Sequence, residues 1–213
     1  LDARLATNHP RPLAGWYSPE DLRKELEKDV EGAADALRRE PTDYLPLRGY
    51  QHDAIRAFEE ALAGGRREVL VAMATGTGKT RTCIGLIYRL IKSGRFRRVL
   101  FLVDRTALGE QAANAFKDVK LEQLQSFTDI YDVKELADLE PEPDTRLHLA
   151  TVQGMITRIV YAGDDDGAPP VGRYDCLVVD ECHRGYNLDR EMSDTDLALR
   201  DERDYLSKYR RVI

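Results

Sequence analysis

Val69-Leu70-Val71-Ala72-Met73-Ala74-Thr75-Gly76-Thr77-Gly78-Lys79-Thr80 passes from an apolar, β-branched run into a glycine-rich turn and then into a helical pattern. The run Val69 to Met73 is too short for an ordinary helix and reads as a strand buried on both faces, while Thr80 to Lys92 reads as a helix. A strand, a tight turn and a helix N-terminus are the parts of a phosphate-binding loop. Glycines let backbone N–H groups turn inward around phosphate oxygens, and the helix terminus adds its partial positive charge. In such a loop Thr75, Gly76, Thr77 and Gly78 wrap the polyphosphate of ATP, Lys79 meets the β and γ phosphates, and the Thr80 hydroxyl ligates Mg²⁺. A chance glycine-rich turn is the competing reading, and the flanking strand and helix weigh against it.

Outward from this loop the same alternation continues. Val99 to Val103, Leu147 to Thr151 and Cys176 to Val179 read as further buried strands, with helices over Thr80 to Lys92, Thr106 to Lys117 and Val152 to Tyr161 and another around Asp129 to Leu139. Strands alternating with helices predict an α/β fold, a three-layer parallel sheet with helices on both faces. Ahead of it, Ser18-Pro19-Glu20-Asp21 has the chemistry of a helix start. Leu22, Leu26, Val30, Ala33 and Leu37 then recur at helical spacing until Pro41, predicting one amphipathic helix. A second helix follows from about Tyr50 to Ala63, closed by Gly64-Gly65. The division read from this pattern is a helical lead-in over 1–46 and a main unit over 47–213. Residues 163–170 and the acidic, proline-containing 140–144 read as loops.

The strand Cys176 to Val179 ends in Asp180-Glu181. One carboxylate at such a position holds Mg²⁺, and the next polarises an attacking water. A solvated strand end is the alternative for these two residues alone; the phosphate loop upstream of them disfavours it. Cys182 and His183 do not make a zinc site, because adjacent residues rarely bind one ion together and no second pair stands at ligand spacing. Cys182 and Cys83 read as packing residues. His183 is either a hydrogen-bonded structural histidine or a sensor of the γ phosphate.

Composition bounds the rest. The 213 residues are 42% apolar and 33% charged, enough for a core and inconsistent with disorder throughout. The longest stretch without formal charge, Leu147 to Thr157, is shorter than the roughly 17 residues that a membrane helix needs. The chain opens on Leu1 with no apolar signal segment, which reads as a piece of a longer protein. Three cysteines form no CxxC, arguing for a reducing, cytoplasmic setting. The net charge of -6 argues at first against nucleic acid. Yet residues 47–128 hold 14 basic against 8 acidic side chains, and 129–204 hold 8 against 20, so the phosphate loop lies in a basic segment. Arg95, Arg97 and Arg98 are either a DNA patch or an ordinary charged loop. The acidic residues between Asp189 and Asp204 read as a solvated helical surface.

Taken together, the motifs resemble those of superfamily 2 helicases. Ala74 to Thr80 is similar to their motif I, in the form ending TGxGKT that tolerates Met73 where kinases and G proteins keep a glycine. Asp180-Glu181-Cys182-His183 is similar to motif II, a DExH box. Leu47-Arg48-Gly49-Tyr50-Gln51 resembles the segment ahead of motif I, where an aromatic and a Gln contact adenine, which adds Arg48, Tyr50 and Gln51 to the ATP-binding residues. Val103-Asp104-Arg105-Thr106 resembles motif Ia, and Ala150-Thr151-Val152-Gln153 a later motif that touches a nucleic-acid backbone, so Arg105, Thr151 and Gln153 are the candidate DNA contacts. More narrowly, Met73 to Thr82, Phe101 to Arg105, Asp180 to Tyr186 and Tyr205 to Arg210 are similar to the motor part of the restriction (R) subunit of type I restriction-modification enzymes. That resemblance implies the first RecA-like lobe of an ATP-driven translocase of double-stranded DNA, with Lys79, Asp180, Glu181 and His183 as its catalytic residues and Thr80 and Asp180 as magnesium ligands. It also implies methyltransferase and specificity subunits as partners, and an upstream nuclease domain and a second RecA-like lobe, with its arginine finger, elsewhere in the same protein. On this view 47–213 stops before motif III, and the 213 residues alone are a weak ATPase. The alternatives are another superfamily 2 motor, of repair or remodelling type, and a nucleotide-dependent binding module; a P-loop kinase fits poorly.

Overall fold

The computed structural model describes Tyr17 and residues 19–138, 140–160 and 172–182. Its centre is a four-stranded, wholly parallel sheet formed by β1 (Val99–Val103), β2 (Asp132–Lys134), β3 (Thr145–Thr151) and β4 (Cys176–Val179), in the order β2-β3-β1-β4. Seven helices surround it among the described residues: α1 (Pro19–Leu26), α2 (Val30–Arg39), α3 (Gly49–Ala63), α4 (Lys79–Lys92), α5 (Thr106–Asp118), α6 (Phe127–Ile130) and α7 (Val152–Val160). Every residue of β1 is buried, as an apolar strand covered on both faces must be.

Alternation along the strands divides the core in two. Val99, Phe101, Val103, Leu147 and Leu149 face one way and pack with residues of α3, α4, α5 and α6, where Phe101, Phe116 and Phe127 meet edge to face at centroid distances of 5.7 and 5.1 Å. Leu100, Leu102 and Ala150 face the other way, against Met155 and Ile156 of α7. This is the three-layer arrangement expected from the sequence.

Three local expectations differ from the structure, and one alternative left open by the sequence is narrowed by it. Val69 to Met73 forms no strand, and Val69, Leu70 and Val71 are 37%, 78% and 42% exposed. A strand is stabilised by a neighbour that takes its N–H and C=O groups, and no strand among the described residues pairs with this run. The lead-in is two helices, because the Asp29 carboxylate accepts from the Gly32 N–H at 2.8 Å and starts α2 afresh. Lys28 leaves the helical path there and pairs with Asp175 at 2.9 Å. Around residue 130 the expected helix is one turn, α6, in which Ser126 and Asp129 cap each other, followed by β2. The three-residue β2, in which Val133 pairs with Leu147, is too short for periodicity to reveal. Finally, Arg95, Arg97 and Arg98 precede β1, at the amino end of the sheet. Arg98 gives its guanidinium to the carbonyls of Thr145, Glu142, Pro143 and Arg173, while the Arg97 and Arg98 amides both donate to the Asp175 carboxylate at 2.7 Å. Arg97 and Arg98 thus act as a structural clamp, while the Arg95 guanidinium lies over the Phe96 ring, 4.9 Å from its centroid. The loop 163–170, Ser18 and the acidic segment from Asp189 lie outside the described residues.

Two buried polar groups went unnoticed in the sequence. Arg89 of α4 is 1% exposed; it forks onto Glu59 of α3 at 2.6 and 3.0 Å and donates to the carbonyls of Leu37, Glu40 and Pro41. It thereby closes the C-terminus of α2 and ties it to α3 and α4. His148 of β3 is fully buried. Its Nε2 lies 3.1 Å from the Asp138 carbonyl, which can only accept, so Nε2 carries the proton and Nδ1 accepts from the Tyr174 hydroxyl at 2.6 Å. Burial, reinforced by the nearby Arg158 and Arg98 charges, holds its pKa down to about 4, although the Asp138 carbonyl pulls the other way.

No helix among the described residues is long and apolar enough to cross a membrane.

His148 generates a pH prediction. Its folded pKa lies below that of the unfolded chain, so between about pH 6.5 and 4 the unfolded state binds the extra proton and stability rises with pH. Stability is expected to be complete above about pH 6.5 and to fall by up to about 3 kcal/mol as the pH drops toward 4. Denaturant unfolding across this range measures it, and His148→Gln should flatten that part of the profile.

Candidate functional site

The parallel register sets the site. Val103 pairs with Thr151, Leu102 pairs with Val179, and the Asp180 N–H donates to the Leu102 carbonyl at 2.9 Å. The residues that follow these strands, Asp104-Arg105, Val152-Gln153 and Asp180-Glu181, therefore emerge at one rim, the carboxyl end of the sheet, where ligands of open parallel sheets gather.

The glycine-rich turn reaches the same rim from α4. Gly76 and Gly78 have φ of +76° and +80°, and Gly78 is the N-cap residue of α4, so the turn depends on glycine at both positions. The Thr77 hydroxyl donates to the Ala74 carbonyl at 2.6 Å and closes the turn. Thr75, Gly76 and Gly78 are exposed, while Thr77, Lys79 and Thr80 are half-buried. The first N–H groups of a 14-residue helix stand beside this turn.

Lys79 Nζ donates to Glu181 Oε1 at 2.6 Å, joining the two sequence motifs across the rim. Glu181 has a φ of +50°, unusual for a residue with a side chain, and its N–H donates to Asp180 Oδ1 at 2.9 Å, which orients that carboxylate. On the flank, Gln51 of α3 donates to the carbonyls of Thr77 and Gly78, and the exposed Tyr50 hydroxyl donates to Thr77 O at 2.9 Å. Arg48 reaches the Tyr50 hydroxyl at 3.3 Å. Arg48, Tyr50, Gln51, the turn, Lys79 and Glu181 thus form one connected group.

Arg105 and Gln153 are exposed on the rim, and Arg105 lies 3.5 Å from Asp104. Thr151 is different: its hydroxyl accepts from the Gly154 N–H at 2.9 Å and caps α7. Cys83 packs against the core, as expected, and so does Cys176. Burial raises both thiols, Cys176 to about 12, so neither is a nucleophile at neutral pH. His183 lies outside the described residues.

No cluster of three or more His, Cys, Asp or Glu that could hold a metal exists among the described residues. What the rim offers a metal is the Thr80 hydroxyl and the Asp180 carboxylate, hard oxygen donors and few of them. That set fits a magnesium ion, which completes its shell with phosphate and water oxygens, and does not fit zinc.

This geometry coincides with what the chain is similar to. The family model described as type III restriction enzyme, res subunit, matches residues 44–212. The chain belongs to that family. Over its whole length it is 46% identical to the endonuclease subunit of the type I restriction enzyme EcoKI of Escherichia coli K12. It is 33% identical over 165 residues, 75% of the chain, to the EcoAI endonuclease subunit of Escherichia coli. UvrABC system protein B of Micrococcus luteus matches less of it, 32% over 98 residues. The chain spans 18% of the length of each of the two restriction subunits and 13% of the third protein.

The Lys79–Glu181 pair generates a prediction for this ResIII domain. A polyphosphate that engages Lys79 must displace Glu181, and a half-buried pair of this kind is worth about 1 kcal/mol. Glu181→Gln is expected to tighten binding of a non-hydrolysable nucleoside triphosphate by about fivefold, measured by titration calorimetry. Unchanged or weaker binding would show that the pair does not compete with the ligand.

Proposed function

We propose that the chain is the ATP-binding motor lobe of a type I restriction enzyme R subunit, with 1–46 as its lead-in and 47–213 as the RecA-like lobe. In the whole protein, ATP hydrolysis drives translocation of double-stranded DNA before endonucleolytic cleavage. The observation that carries this reading is the 2.6 Å contact between Lys79 and Glu181, which brings a phosphate loop and an acidic strand end together at the rim of a parallel sheet. Whole-chain identity to a restriction subunit favours it over a relation to UvrABC system protein B, whose matches cover 46% and 57% of the chain.

In this reading the amides of Thr75 to Gly78 and the α4 N-terminus hold the β and γ phosphates, and Lys79 neutralises their charge. Thr80 and Asp180 would hold Mg²⁺, which supplies charge neutralisation on the phosphates when bound. Glu181, released from Lys79 by the incoming phosphate, accepts a proton from the attacking water or orients it, and His183 senses the γ phosphate. Arg105 and Gln153 grip the DNA backbone without reading sequence, and Thr151, whose hydroxyl caps α7, fixes the turn that presents Gln153. The partners are double-stranded DNA and the methyltransferase and specificity subunits of a cytoplasmic restriction-modification complex.

The test is DNA-stimulated ATP hydrolysis and translocation by the intact protein. Lys79→Ala and Glu181→Gln are each expected to reduce turnover by about a hundredfold or more, and translocation with it. Translocation that survives either substitution would contradict the assigned roles, and an unsubstituted protein that binds nucleotide but neither hydrolyses it with DNA nor translocates would be better described as a nucleotide-dependent binding module.

A further inference from the structure

β1 is held by a strand on each side, whereas β4 has one strand neighbour among the described residues, and all four of its residues are half-buried. Burial alone therefore specifies the register of β4 weakly. A slip of one residue would carry Asp180 and Glu181 about 3.3 Å along the strand and turn their side chains to the opposite face.

The turn that feeds β4, residues 172–175, is held at every position. Gly172 has a φ of +92° and lies against the Tyr17 ring, where a Cβ would collide with it. The Arg173 carbonyl accepts from Arg98 Nη1 at 3.2 Å, and the Tyr174 hydroxyl donates to His148 of β3. Asp175 is the lock. Its Oδ2 accepts from the Arg97 N–H and its Oδ1 from the Arg98 N–H, both at 2.7 Å, while its own N–H donates to the Arg98 carbonyl at 3.1 Å. A carboxylate gripping two successive amides fits one register of β4 against β1.

Two of these holds come from outside the sheet. Tyr17 precedes α1, and Lys28 lies between α1 and α2, where its Nζ donates to Asp175 Oδ2 at 2.9 Å. The Asp175 side chain is 12% exposed, so its charge attracts an adjacent ammonium more strongly than a surface carboxylate would. The Lys24–Glu20 pair, by contrast, is exposed and lies within α1.

We propose that Tyr17 and Lys28 are positioning residues for the acidic pair: they hold the 172–175 turn, and through it they set where β4 delivers Asp180 and Glu181. This rests on the reading of Asp180-Glu181 as part of the nucleotide site. The phosphate loop is anchored separately, through α4 and through Tyr50 and Gln51 of α3, so loosening the turn misplaces the carboxylates without releasing the phosphates.

Two measurements on the intact protein test this. One is amide hydrogen exchange without nucleotide, followed in peptides covering 176–180 and 83–92; the other is DNA-stimulated ATP hydrolysis, with kcat and KM for ATP determined separately. Lys28→Met keeps the length of the side chain and removes its charge, and Lys24→Met is the control on the exposed pair. Lys28→Met is expected to speed exchange at 176–180 by about tenfold and leave 83–92 unchanged. It should also lower kcat by about tenfold with KM within about twofold of wild type. Tyr17→Ala should shift both readouts in the same direction, Lys28→Arg should restore them, and Lys24→Met should leave them as in wild type. Unchanged exchange and kcat in Lys28→Met, the same losses in Lys24→Met, or faster exchange at 83–92 as well would overturn the proposal while leaving the nucleotide site intact. Absence of ATP hydrolysis in wild type would overturn that site, and with it the role of the anchor in turnover.

Discussion

β1 is the strand on which the site depends. It is hydrogen-bonded in parallel to β3 on one side and β4 on the other, and is buried along its whole length. A slip of one residue in either pairing would exchange its two faces, placing Phe101 where Leu102 packs and separating the cores on the two sides of the sheet. The register is therefore fixed by burial, and with it the height at which Arg105, Gln153 and Asp180-Glu181 leave the sheet. The chemistry at the rim follows from packing at the centre.

A second constraint acts from outside the sheet. Asp175, just ahead of β4, binds the amides of Arg97 and Arg98 and the ammonium of Lys28, while Arg89 binds Glu59 and the carbonyls that end α2. The two clamps join the lead-in to the amino end of β4 and to the back of α4. Those are the elements that carry Asp180-Glu181 and Lys79. Movement of the lead-in is thus mechanically connected to both halves of the phosphate site.

Most of this was legible in the sequence where long-range consequences follow from local pattern. Lys79, Asp180 and Glu181 stood out because a glycine turn and an acidic strand end are short and chemically distinctive, and three of the four expected strands form because apolar runs survive in any context. Val69 to Met73 was misread for the same reason: its pattern states what it prefers to pair with, not whether a partner is there. β2 was missed because three residues are too few for periodicity to show, and the break at Lys28-Asp29 because one or two side-chain bonds set it. Arg89 and His148 carry no signal of burial, since nothing in their neighbourhood along the chain distinguishes them from solvated residues. Gln51 was found by resemblance to a family motif, but its partners on the loop could not be read from the sequence.

Charge shows the same limit. The overall -6 argued at first against nucleic acid, whereas the basic 47–128 segment holds the glycine-rich turn, Lys79 and Arg105. Part of that basic surplus, Arg89 and Arg98, is consumed inside the fold by carbonyls and by Glu59. The central claim is that Lys79 and Glu181 are two halves of one ATP site. An electron cryomicroscopy structure of the intact protein with a non-hydrolysable ATP analogue and Mg²⁺ tests it most directly. The account predicts a triphosphate cradled by Thr75 to Thr80, with Lys79 moved from Glu181 onto the phosphates; a nucleotide bound elsewhere, with the Lys79–Glu181 pair intact, would contradict it.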